Sequence, residues 1–182
     1  KGVTLVDESP TTAMLAVQGP RAAALAFEAL DRSLETVPRF GITAIQWRGT
    51  DSAPTEITIE AARTGYTGED GFELFMPAEA AEPVWIALLT VAECMGIDAQ
   101  PAGLGARDSL RLEAGFALYG HELTEDISPV EARLLWACNL DHDFLGRDAI
   151  VARKAEKPAR NLRRLIMTER GVPREGYPVV DE

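Results

Sequence analysis

The sequence predicts an α+β fold: an antiparallel sheet with helices packed on one face, followed by the start of a truncated β-barrel domain. Three observations carry this expectation. Period-2 alternation runs through Glu56–Ala62 and again through Phe72–Met76, with a glycine-rich stretch between them. Glu79–Met95 instead repeats its apolar residues at helical spacing. The elements follow the order β-α-β-β-β-α, which suits an antiparallel sheet with its helices on one side.

Taken in order, Thr12–Gln18 is a short apolar run that reads as a buried strand. Gly19-Pro20 then opens a helix, with Pro at its first position and Leu25, Ala26, Ala29 and Leu30 on one face. Phe40–Arg48 alternates Ile42, Ala44 and Gln46 against Thr43, Ile45 and Trp47, and Thr50–Pro54 is a polar turn. In Glu56–Ala62 the buried side carries Ile57 and Ile59. Asp70-Gly71 predicts a tight hairpin turn before a return strand at Gly71–Met76. The next helix, Glu79–Met95, has a stripe of Val84, Trp85, Leu88, Leu89 and Ala92 and ends at Gly96. A helix over Ala106–Ala114 stops at Gly115. Ser128, Pro129 and Glu131 form a capping box that predicts another helix, with a stripe of Val130, Leu134, Leu135 and Cys138 and with Trp136 in the core. Asp148–Lys157 reads as a short exposed helix. The charged run Lys154–Arg164 reads as a linker, Leu162–Met167 as a new strand, and RGVPREGYP as a first hairpin. The expected division is residues 1–158 for the main domain and 159–182 for the linker and first barrel strands.

Bulk properties narrow the function classes. The chain has 182 residues, of which 46% are hydrophobic, enough for one real core. A formal net charge of −11 opposes nonspecific binding to nucleic acid or an anionic membrane. No apolar run approaches the roughly 20 residues that span a bilayer, and KGVTLVDESP lacks the apolar region of a signal peptide. Cys94 and Cys138 form no CxxC and read as free core thiols of a reducing, cytoplasmic compartment. His121 and His142 lack metal-ligand spacing, so no metal is expected. The chain begins at Lys1 rather than Met and stops after an opening turn, which predicts truncation.

Candidate chemistry concentrates in two stretches. Arg63–Glu73 reads RTGYTGEDGFE. Alternation after the turn sends Phe72 and Leu74 to one face and puts Glu73 on the other with Phe75. A carboxylate beside apolar surface must reach water or meet a partner, which makes Glu73 a ligand candidate. The second stretch, GLGARDSLRLEAG at Gly103–Gly115, places Arg107 and Arg111 four apart on one helical face. Arg107 sits near a helix N-terminus, where a cation implies a bound anion or a paired acid. The competing reading is an internal ion pair, Arg107–Glu73 or Arg111–Glu113. GLG lacks the GxGxxG pattern and the Walker lysine. Asp141, His142 and Asp143 read as a solvated loop, and Ser109 has no nearby His to make it a nucleophile.

Several stretches together resemble the glycine cleavage T-protein (aminomethyltransferase) family. They are LAVQGP at Leu15–Pro20, RTGYTGEDGFE at Arg63–Glu73, GLGARDSLRLEAGFALYGHEL at Gly103–Leu123, ISPVEA at Ile127–Ala132, FLGRDAI at Phe144–Ile150 and GVPREGYPV at Gly171–Val179. They occur in the family's order and cover nearly the whole chain. The resemblance implies a tetrahydrofolate-dependent transferase. Such an enzyme takes a one-carbon unit from the aminomethyl group on the lipoyl arm of the H-protein and releases ammonia. It also implies folate-binding roles for Tyr66, Glu73 and Arg107, the last either contacting folate or orienting Glu73. A pterin's amidine-like edge offers two donors that one carboxylate accepts, and Tyr66 offers a ring face or a hydroxyl. Phe116 stands where some members have Tyr. The family's catalytic aspartate belongs to an upstream segment without a match here, and Asp7, in TLVDES, does not fit its motif. The catalytic residue is therefore unassigned, and the isolated chain is expected to be inactive.

Three other readings compete. The related iron–sulfur maintenance proteins bind folate without transfer, but their KGCYxGQE motif has no counterpart at FLGRDAI. A folate domain of a dimethylglycine or sarcosine oxidase would need a flavin-binding region upstream. The last is an α+β interaction module without a ligand.

Overall fold

The computed structural model describes residues 2–50, 53–156, 158–172 and 176–180. Its contacts group into two compact units, Lys1–Phe116 and Ala117–Glu182.

The first unit holds a four-stranded antiparallel sheet: β1 Thr12–Gln18, β2 Ile42–Thr50, β3 Ala53–Ala62 and β4 Gly71–Pro77, in spatial order β1-β4-β3-β2. Helices α1 (Ala22–Ala29) and α2 (Ala81–Cys94) pack on it, as the α+β expectation requires. Alternation decides which residues they cover. Phe72, Leu74 and Met76 of β4, Ile59 and Ala61 of β3, and Ile45 and Trp47 of β2 are buried beneath the helices. Each large side chain hidden this way contributes about 1.5–3 kcal/mol. In β2 the covered set is the odd-numbered one, and Ile42 is exposed. Trp47 Nε1 donates to Ala29 O at 3.3 Å, tying the end of α1 to β2. In α2 the buried stripe is Val84, Ala87, Leu88 and Ala92, rotated from the expected one so that Trp85 is exposed. Helix α1 begins two residues after Pro20, which sits in the turn before it. Helix α3 (Leu104–Ala114) starts two residues earlier than expected and stops at Gly115, φ 75°. The turn residues Asp51 and Ser52 lie outside the described residues.

In the second unit the expected helix at Ser128 does not form. Its capping box is present: Ser128 N donates to Glu131 Oε2 at 2.9 Å and Glu131 N to Ser128 Oγ at 3.3 Å. One turn later Arg133 adopts φ 59°, and Leu134 N bonds to Pro129 O while Arg133 N bonds to Val130 O. That pair of bonds is a helix-ending Schellman closure, so the capped turn terminates at once. Leu135–Ala137 is a single 3-10 turn, and Trp136 is exposed rather than core. Helix α4 (Arg147–Glu156) matches the expected short exposed helix, and Asp141–Asp143 is exposed loop.

The charged linker is anchored. Arg160 Nε donates to Glu131 Oε1 at 2.8 Å and Leu162 N to Glu131 O at 2.8 Å. Leu162–Met167 shows no strand, because no neighbouring strand pairs with it among the described residues. In the expected hairpin, Pro173–Glu175 lie outside the described residues. Both cysteines are free, but Cys94 is exposed at the outer end of α2 rather than in the core.

Candidate functional site

The two candidate stretches meet in the first unit, around the loop at residues 63–70 that joins β3 to β4. Its base is a forked ion pair. Arg63 donates from Nε to Asp70 Oδ1 at 3.1 Å and from Nη2 to Oδ2 at 2.7 Å, while Nη1 reaches Val37 O at 2.8 Å. The guanidinium lies 5.8 Å and 5.7 Å from the ring centroids of Phe27 and Phe72. Hydrogen bonding from Arg63 holds the Asp70 carboxyl below the usual carboxylate range.

This loop is eight residues long, so Asp70-Gly71 is not the tight hairpin turn that the dipeptide predicts. The left-handed residue is Gly68, φ 83°. Gly71 is required for another reason: a Cβ there would lie 2.1 Å from Val17 O of the paired strand. Gly65 is closer still to its neighbour, with a Cβ position 1.8 Å from Gln18 Oε1. Gln18, at the end of β1, donates from Nε2 to Thr64 O at 3.1 Å and to Phe72 O at 3.3 Å. Gly19 N donates to Asp70 O at 3.1 Å. The LAVQGP stretch thus clamps the loop.

Glu73 lies on the sheet face opposite the helices, half-buried, as alternation predicts. Its Oε2 accepts from the Thr64 hydroxyl. Its cross-strand neighbours are Ala16 on one side and Ala62 on the other. Two methyl groups do not cover a carboxylate, and Oε1 has no protein partner among the described residues. Two residues on, Phe75 pairs with Met14 and extends an apolar floor on the same face.

Tyr66 has an aromatic ring and a guanidinium beside it. Its ring is 5.5 Å from that of Phe116 with an interplanar angle of 21°, and the Arg107 guanidinium lies 4.8 Å from its centroid. Phe116 therefore supplies an apolar ring against Tyr66. The tip of the loop touches the end of α3, where a Cβ on Gly68 would come 2.9 Å from Ala114 Cβ.

The structure brings Tyr66 and Arg107 together but does not pair Arg107 with Glu73: no ion pair joins them among the described residues. Nor does Arg111 pair with Glu113. Arg111 is 2% exposed and binds Asp108 at 2.7 Å and Phe116 O at 3.1 Å. Asp108 thus neutralises Arg111, while Arg107, four residues earlier, lies over the Tyr66 ring. Asp7 is exposed, and its Oδ1 accepts from Ser9 N at 3.0 Å, a local turn bond. Sequence reasoning missed Gln18 and Thr64. The only signal for Gln18 was an amide ending an apolar strand just before Gly-Pro.

Enclosed space beside the loop is small, about 60 Å³, between Phe40, Thr64, Gly65, Gly68 and Phe116. A larger open depression of about 430 Å³ lies by Leu30, Gln46 and Trp47, away from all of these groups. Space of the first size holds only a few waters, and Glu73 is not among its lining residues. Among the described residues, no three His, Cys, Asp or Glu side chains stand where they could hold a metal ion. No described helix is long and apolar enough to cross a membrane.

Comparison with known proteins agrees with the α+β fold and gives the family. Residues 1–142 match the family described as the GCVT N-terminal domain. The sequence is 47% identical to an aminomethyltransferase of Herpetosiphon aurantiacus over 184 aligned residues, covering 98% of this chain and 46% of the relative. It is 45% identical to an aminomethyltransferase of Thermus thermophilus, covering 98% and 46%. Among solved structures, the glycine cleavage system aminomethyltransferase T from Bartonella henselae superposes with a TM-score of 0.64 at 32% identity, over 81% of this chain and 38% of that one. The chain spans about half the length of the curated relatives it matches. It belongs to the GCVT N-terminal domain family of aminomethyltransferases.

Proposed function

We propose that Glu73, Tyr66 and Arg107 form the pterin-binding part of a tetrahydrofolate site. The observation that carries this reading is the Glu73 carboxylate, steered by the Thr64 hydroxyl and left open between two alanines. Carboxylates in that setting accept a paired donor edge, and hydrogen bonds to charged groups contribute about 1.5–3 kcal/mol. Thr64 holds one oxygen in place, so little side-chain freedom is lost on binding. Arg107 is exposed and rests on the Tyr66 ring rather than on an acid. Of its two expected roles this favours direct contact with the ligand, where its charge suits folate's carboxylates. Tyr66 adds its aromatic ring to the same surface, beside Arg107 and Phe116.

When bound, tetrahydrofolate supplies the amine that accepts the one-carbon unit. At the relatives' full length the reaction is transfer from the aminomethyl-lipoyl arm of the H-protein, with release of ammonia. The chain's own residues hold and orient the acceptor. Asp70 is tied to Arg63 and Asp7 to its own turn, so neither is offered to a ligand at Glu73. We infer that the 182 residues alone bind without turning over. We place the protein in the cytoplasm. The boundary between the folate domain and the start of the barrel falls between residues 158 and 159.

Tetrahydrofolate titration followed by an H-protein-dependent transfer assay tests this reading. The 182-residue chain binds and is inactive, and a chain of the relatives' full length binds and is active. Transfer by the 182 residues at the full-length rate contradicts the division of labour. Absence of binding by the full-length chain contradicts the site.

A further inference from the structure

We propose that Gln18 is a positioning residue for the ligand site, setting Thr64 and Glu73 through the loop backbone. This rests on the folate reading of Glu73 above. The two N–H groups of one carboxamide serve two carbonyls on opposite arms of the loop, Thr64 O at 3.1 Å and Phe72 O at 3.3 Å. Thr64 is the residue whose hydroxyl steers Glu73, and Phe72 is its chain neighbour. One amide therefore bridges the backbone on both sides of the carboxylate's clamp. Its oxygen points the other way, toward Thr67 Oγ1 at 3.5 Å, so only one amide orientation avoids setting oxygen against two carbonyls. The missing Cβ at Gly65 lets the loop lie directly on the amide. The packing of β1 on the core belongs instead to Ala13, Leu15 and Val17, so Gln18 serves the loop more than the sheet.

The test uses two variants in the full chain, each measured by tetrahydrofolate titration between pH 8 and pH 5 and by thermal melting. Gln18→Glu keeps the shape but, when ionised, sets oxygen against both carbonyls. At pH 8 its affinity falls about tenfold or more below wild type. The gap narrows toward pH 5, because two facing carbonyls disfavour the ionised form, raise the introduced carboxyl's pKa and let the neutral acid regain one donor. Gln18→Met keeps the length without a donor and weakens binding at every pH. In a Glu73→Ala background, Gln18→Met costs little further affinity, because it acts through Glu73. A gap for Gln18→Glu that does not change with pH, or equal losses for Gln18→Met with and without Glu73, overturns the assignment. So does unchanged binding by both variants. Failure of the wild-type chain to bind overturns the folate reading instead. The loop assignment then stands or falls on whether hydrogen exchange at residues 64–72 quickens in Gln18→Met.

Discussion

In the site we propose, a single carboxylate, Glu73, is the organising group because the strand gives it no cover. Alternation in Phe72–Met76 was enough to put Glu73 on the face away from the core, and there it is. What alternation does not show is its neighbour. Thr64 is nine residues away across a loop, and Gln18 is 46 residues from Thr64. Such partners follow from register, which only the folded sheet shows. Charge reasoning also offered an Arg107–Glu73 pair, but Arg107 settles on the Tyr66 ring. A guanidinium on an aromatic face is stabilised by about 0.5–1 kcal/mol at an exposed site. Arg107→Ala therefore leaves the melting temperature nearly unchanged while weakening tetrahydrofolate binding about tenfold. Calorimetry and a thermal scan on the same sample check both halves.

At the scale of elements, glycines and caps decide where the chain turns. The strands and α2 were legible because their periodicity is long and regular. The hairpin was misread because Asp-Gly is a local signal, whereas Gly71 answers to a backbone on another strand. Gly71→Ala drives a methyl group to 2.1 Å from Val17 O and separates β1 from β4. Its cost is at least about 2–3 kcal/mol, in the range of overpacked sites. Gly96→Ala meets open space and only the left-handed penalty, φ 60°, of about 1–2 kcal/mol. Urea denaturation of the two variants gives the comparison. The capped turn at Ser128 teaches the same point. Its cap was legible, but the left-handed Arg133 that closes it carries no sequence signal. Arg133→Gly should stabilise the protein by about 0.5–1 kcal/mol, relieving a positive φ on a residue with a Cβ.

Over the whole molecule, the acidic balance is managed by a few engaged carboxylates. Glu131 is the clearest. Hydrogen bonding from Ser128, then from Arg160, pulls its carboxyl down from 4.5 to about 2. A depressed carboxyl stabilises the folded state above its ordinary value, and that stability is lost as pH falls. The unit Ala117–Glu182 should therefore loosen between about pH 4.5 and pH 2, releasing Arg160 and Leu162. Glu131→Gln should flatten that acid dependence, as read by proteolysis near residue 160. The first unit has its own acid-sensitive latch in Arg63–Asp70, whose carboxyl is also held low. Fold class and family were legible from the motifs. The stack of Tyr66, Phe116 and Arg107 was not, because it joins a loop to a helix more than 40 residues later.

The most direct test of the central claim is tetrahydrofolate affinity in Glu73→Gln, an exchange that keeps the shape and the Thr64 contact but removes the charge. The account predicts a loss of at least about tenfold, or 1.4 kcal/mol, with the melting temperature unchanged. Equal affinity in the variant and the wild-type chain would contradict it.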